Sequence, residues 1–173
     1  MVEHRPFKAV VVGSSPTVLT RFSAIMIKSM RTADLYDLDF AAWAEQNAEL
    51  LRAGRLSEVD LEHVAEEIGD MAKRERRALR RRLARLIQHL LKWQLQPEKR
   101  STSWQTTIAE QRDAISVLLQ ESPSLKPGFA SQVSEAYSAA ARLAAIEMRR
   151  DVTALPESCP YTMAQLLDLD YLP

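Results

Sequence analysis

Asp60, His63 and Glu67 have the residue types and the spacing of an acid–base or metal-binding face. Asp60 and His63 stand at i, i+3, and His63 and Glu67 at i, i+4. Either spacing puts two side chains on one face of a helix, close enough to share a divalent ion. Helical di-metal sites use a Glu-x-x-His motif from each of two helices, with further carboxylates. Here the motif occurs once, with Asp in place of Glu, and Leu86 stands where a second copy at His89 would need its acid. On a wheel of about 100° per residue, His63 and Glu67 also point away from the apolar stripe of their helix. A solvated, ion-paired face is therefore expected, with no metal and no other cofactor.

A second constellation lies further along the same helix. Arg82, His89 and Trp93 are seven and four residues apart and share one flank of the apolar stripe, so they are stacked neighbours. A flank residue is half-buried, where a His or Arg meets a carboxylate from a neighbouring helix, and Glu110 is the candidate. Trp93 and Trp104 would be packing anchors, with Arg100 nearby. The set reads as a structural polar network, and its functional alternative is a shallow, tryptophan-lined ligand or partner pocket. Acid–base catalysis by His89 lacks a serine or cysteine nucleophile in any recognisable arrangement. Cys159, between Ser158 and Pro160, precedes a short helix whose N-terminus can lower a thiol pKa. A packed, inert thiol is the expectation.

The third constellation is basic. Lys73, Arg74, Arg76, Arg77, Arg80, Arg81, Arg82 and Arg85 are interrupted by one acid, Glu75. Arg74, Arg81 and Arg85 share the outer face and, with Arg77, form a candidate basic surface that can track phosphates. Arg80 and Arg82, however, fall on opposite flanks of the stripe. A helix ringed in this way is more often a solvated face paired with acidic neighbours.

The elements that must position these groups are helices. Only four glycines occur in 173 residues, which favours long helices over many short strands. From Asp34, the residues Tyr36, Phe40, Trp43, Leu50 and Leu51 mark a first amphipathic helix closed at Gly54. Ser57-Glu58-Val59-Asp60 reads as a near capping box opening a helix over 57–96, stopped by Pro97. Arg76 falls on its inward line and Gly69 lies close by, so a kink or break between Gly69 and Arg77 is expected. Ser101 or Ser103 opens the third helix and Pro127 the fourth. Thr162 to Gln165 is a capping box for a short last helix. The expected fold is all-α, a bundle of four principal antiparallel helices plus that C-terminal helix, as one domain over 34–173.

Residues 1–33 differ in kind. No acid occurs from His4 to Ala33, against five basic residues. The segment is expected to be flexible or untranslated, with Met26 and Met30 as alternative starts. Its FKAVVVGSSP run suits a short strand and turn but lacks the glycine spacing of a nucleotide-binding loop. No apolar run is long enough to span a membrane, no signal peptide is recognisable, and the cytoplasm is the expected location.

Several segments taken in order carry a resemblance: LYDLDFAAWAEQNAELLRAGRLSEVDLEHVAEEI, HLLKWQLQPEKRSTSWQTTIAEQR, SPSLKP and CPYTMAQLLDLDYLP. The chain resembles the bacterial family known as domain of unknown function 29 over about 34–173. The family pattern falls here on Trp43, Glu66, Glu67, His89, Trp93, Arg100, Trp104, Gln111 and Arg112. The resemblance implies a bacterial helical bundle of this size and brings no catalytic residues with it. The residues favour a non-enzymatic binding or interaction module. Its expected partner is a protein, a second copy in a homodimer included. The rivals are a nucleic-acid-associated protein, which is not favoured, and a metal-dependent helical-bundle enzyme.

Overall fold

In the computed structural model, residues 32–173 are described. The N-terminal extension and its strand-and-turn reading lie outside the described residues. Among the described residues the protein is an all-α bundle without a strand. The helices are α1 (Thr32–Leu38), α2 (Phe40–Arg52), α3 (Leu61–Leu95), α4 (Thr102–Glu121), α5 (Phe129–Met148) and α6 (Met163–Leu167), joined by short 3₁₀ turns. No helix among them is long and apolar enough to cross a membrane. Two compact units are defined by their internal contacts, one up to Glu67 and one from Ile68.

In the first unit, the expected single helix arrives as two. Asp39 leaves helical geometry and accepts the Ala42 amide at 3.0 Å, because a short carboxylate satisfies a free helix-start amide well. Leu35, Trp43, Leu50 and Val59 are buried, whereas Phe40 and Leu51 of the expected stripe are exposed. α2 ends as expected at Gly54, which adopts φ 69°. The Gly54 amide reaches the Leu51 carbonyl and the Arg55 amide reaches Leu50, a pairing that needs the left-handed residue in between. The Ser57 capping box is corrected. Ser57 and Glu58 lie in a 3₁₀ turn, and α3 begins at Leu61 with the Asp60 carboxylate accepting the His63 amide.

α3 then runs without interruption past Gly69 and Arg76 to Leu95, so the expected break does not occur. In the second unit its residues Leu79, Leu83, Leu86, Ile87, Leu90 and Leu91 are buried. They pack in one core with Ile108, Ile115 and Leu119 of α4, Phe129, Tyr137 and the alanines of α5, and Leu166 of α6. Each such aliphatic side chain contributes roughly 1.5–3 kcal/mol by leaving water. Ala136, Ala140 and Ala144 are fully buried; their small side chains let the α5 backbone approach its neighbours, while Leu143 turns outward. Ser101 caps α4 through the Trp104 amide. Thr162 and Gln165 cap each other's backbone at α6, as the sequence reads.

Candidate functional site

The Asp60–His63–Glu67 set is ion-paired as expected, but it is half-buried rather than fully solvated. The Asp60 carboxylate accepts the Trp43 indole N–H at 3.1 Å and lies 2.7 Å from His63 Nδ1. Asn47 accepts the Asp60 amide at 2.9 Å. Tyr36 stacks on the His63 ring at 4.0 Å and donates its hydroxyl to Glu67 at 2.9 Å. The first helices therefore cover the face that the wheel turned outward, because α1 and α2 present aromatic edges with polar tips rather than a purely apolar stripe. Burial works against the Asp60 carboxylate, yet its bonds from His63 and Trp43 hold its pKa below the usual value. The same bond from Asp60 raises His63. Among the described residues no group of three or more His, Cys, Asp or Glu is arranged to hold a metal ion.

In the second unit, α3 is buried on all sides from Leu86 to Lys92, so even its polar residues there need internal partners. Glu147 of α5 supplies two of them, accepting from Gln88 at 2.8 Å and from Lys92 at 2.5 Å. The Lys92 ammonium also lies 4.2 Å over the Trp104 ring, a cation–π contact. His89 donates Nδ1–H to the Arg85 carbonyl at 2.9 Å, and Glu110, its expected partner, is exposed on α4. Burial pushes His89 below its ordinary pKa, and the nearby Lys92 and Arg85 add to that. Trp93 and Arg100 do meet: the guanidinium sits 5.1 Å over the indole and bonds the Trp93 carbonyl at 2.9 Å. Arg82 is half-buried.

The two histidines should separate in a proton titration followed by NMR. His63 is expected to titrate above the ordinary midpoint near 6.5 and His89 below it. Asp60→Asn should return His63 toward that midpoint and leave His89 unchanged; equal midpoints in the parent chain would refute both environments.

Arg112 is the group that spacing did not single out. It is 1% exposed and donates to the carbonyls of Gln165, Leu166 and Leu169. A planar fork of five donors suits three converging carbonyls at the end of a short helix. Burial pulls its pKa down, opposed by Asp168 and Tyr171. Its sign in the sequence was its place in the family pattern, next to Gln111.

Two surfaces of α3 remain. Arg74, Arg77, Arg81 and Arg85 are all exposed, whereas Arg80 pairs with Glu135 at 2.5 Å. The apolar stripe is covered from Leu79 onward, yet its continuation toward the N-terminus is bare. Leu61 is 57% exposed, Ile68 62% and Met71 60%; Ala65 and Ala72 are exposed as well, and Val64 is half-buried. Arg76, expected on the inward line, is exposed too.

A cavity of about 360 Å³ lies between Phe129, Val133, Tyr137, Glu157, Cys159, Tyr161 and Met163, among others. Both of its tyrosine hydroxyls are engaged: Tyr137 donates to the Pro156 carbonyl and Tyr161 to Gln94 at 2.8 Å. Burial raises the Cys159 thiol, which keeps it protonated and slow to react.

No curated protein and no solved structure matches. The family model described as "Domain of unknown function DUF29" matches residues 35–172, which is most of the chain, and the chain belongs to that family.

Proposed function

We propose that the chain is a non-enzymatic protein-interaction module of the bacterial cytoplasm that docks an amphipathic helix against the bare stripe of α3. One observation carries the reading. A single stripe runs along α3, buried at Leu79, Leu83, Leu86 and Leu90 but exposed at Leu61, Ala65, Ile68 and Ala72. An apolar face of this width is retained on a soluble helix when something covers it, and helix-in-groove or helix-on-helix docking reads the same i, i+4, i+7 anchors.

A photo-crosslinking side chain placed at Ile68 or Ala72 in the native cell should give protein adducts. The same group at Arg81, on the opposite face, should give roughly fivefold fewer, since anchors concentrate at the centre of an interface. Equal yields at all three positions, or none, would overturn the reading. The second reading uses the exposed row Arg74, Arg77, Arg81 and Arg85 against phosphates. It requires retention on DNA that falls with salt, at a slope of about 0.9 per phosphate contacted. Adducts to nucleic acid at Arg81 and none to protein at Ala72 would favour it.

A further inference from the structure

We infer that the occupant of the bare stripe is a second copy of this chain, packed antiparallel on α3 about a two-fold axis beside Gly69. The inference rests on the interaction reading above and names its partner.

Charge is segregated along the exposed part of α3. From Leu61 to Asp70 the charged residues are Glu62, Glu66, Glu67 and Asp70, beside His63. From Lys73 to Arg85 they are basic except for Glu75. A helix that is acidic in one half and basic in the other complements itself when reversed and repels itself when parallel.

Register follows from the wheel. Glu62, Gly69 and Arg76 are spaced by seven and so occupy one flank of the stripe, with a drift of about 20° per step. In an antiparallel two-fold pair, like flanks face each other. An axis beside Gly69 then sets Glu62 opposite the partner's Arg76, and the symmetry repeats that pair. Glu66 meets the partner's Lys73 just outside it. Along the centre, Ile68 lies against the partner's Ala72, and on the other flank Met71 meets the partner's Met71. Gly69 fits the crossing point: a Cβ built there meets nothing within 4 Å, so the surface is open and the backbones can approach closely. Arg76 is then no flaw in the stripe; its place on the flank is what the reversed copy pairs with.

Sedimentation velocity of the full chain tests this. The expected result is a particle of twice 19.6 kDa at micromolar concentration, converted to monomer by Ile68→Lys. Glu62→Arg and Arg76→Glu should each weaken the dimer by on the order of tenfold, because each reversal spoils two symmetric pairs. The double variant Glu62→Arg/Arg76→Glu should recover to within about threefold of the parent chain, because each new Arg meets a new Glu. Recovery is specific to the antiparallel register. With Cys159→Ser, a Gly69→Cys chain should form an interchain disulfide on mild oxidation. Unchanged helicity of the single variants by circular dichroism separates weakened association from misfolding.

A monomer up to about 100 µM, a dimer indifferent to Ile68→Lys, or a double variant no better than its singles would overturn the inference. If the chain is monomeric while Ala72 crosslinks to a different protein, the self-association fails and the interaction reading stands. If no protein crosslinks at Ala72 and no dimer forms, both fail.

Discussion

Arg112→Ala is expected to destabilise the second unit by about 2–4 kcal/mol, because one buried guanidinium serves three carbonyls. The deletion does more than open a cavity. It leaves the Gln165, Leu166 and Leu169 carbonyls without donors, and a buried acceptor without a donor costs roughly 1–3 kcal/mol. Arg112→Lys should recover only part of the loss, since one ammonium cannot span three carbonyls as a guanidinium does. Urea unfolding followed by circular dichroism reads the change as a shift in midpoint at constant slope. A loss below about 1 kcal/mol would show that water replaces the guanidinium and that the last residues are held by Leu166 packing alone.

The second large effect belongs to the first unit. Asp60→Ala should cost that unit about 2–3 kcal/mol, because one carboxylate serves the Trp43 indole, the His63 ring and the His63 amide at the start of α3. Trp43→Phe, which removes one donor and keeps most of the packing, should cost less. The pH dependence has two edges. The lowered Asp60 pKa contributes stability that is present above its unfolded value and lost as pH falls through the folded one. The raised His63 pKa contributes stability that is present below about 6.5 and lost as pH rises through the folded value. The first unit is therefore expected to be most stable in mildly acid solution, weakening toward both strong acid and alkaline pH. Asp60→Asn should flatten both edges; a parent profile that rises steadily toward alkaline pH would contradict the pairing.

Much of the fold was readable in the sequence, for identifiable reasons. The stripe Leu79, Leu83, Leu86, Leu90 and the stop at Pro97 are periodic and punctuated, so the C-terminal half of α3 and its buried face follow from spacing, whereas its start and its continuity past Gly69 do not. The Thr162–Gln165 capping box and the Gly54 turn are local chemistry and were equally plain. Some errors arose from local caps and others where a distant partner decides the matter. Asp39 breaks the first helix because its carboxylate finds a nearby amide. Helical spacing brought Asp60, His63 and Glu67 onto neighbouring positions, but not the aromatic edges of Trp43 and Tyr36 that cover them. A wheel ranks positions by apolar neighbours on their own helix, so it turned His63 and Glu67 outward.

The polar cluster of the second unit shows the same limit. Glu147 is 59 residues from Gln88, and no periodicity links them. A sign was present in the run Leu86 to Lys92, apolar on more than one face, which marks a helix surrounded on all sides. Such a helix must also enclose Gln88 and Lys92, so a carboxylate from another helix was required. Glu110 was expected to meet the flank of His89, and a partner for Gln88 and Lys92 on α5 was not anticipated.

The bare stretch of α3 also determines where the backbone opens first. From Ile68 to Arg77 the side chains are exposed, with Asp70 half-buried. Helicity there rests on local terms such as the Asp70–Lys73 pair at 2.7 Å, which solvent screens. Gly69 sets against them a backbone-entropy penalty of roughly 1 kcal/mol relative to alanine. Amides in this stretch therefore exchange with solvent by fluctuations far smaller than global unfolding, while those at Leu86 to Leu91 wait for the core to come apart. The most regular element of the protein is thus rigid at one end and frayed in its middle, and a helix laid along it would be felt first as slowed exchange at Gly69.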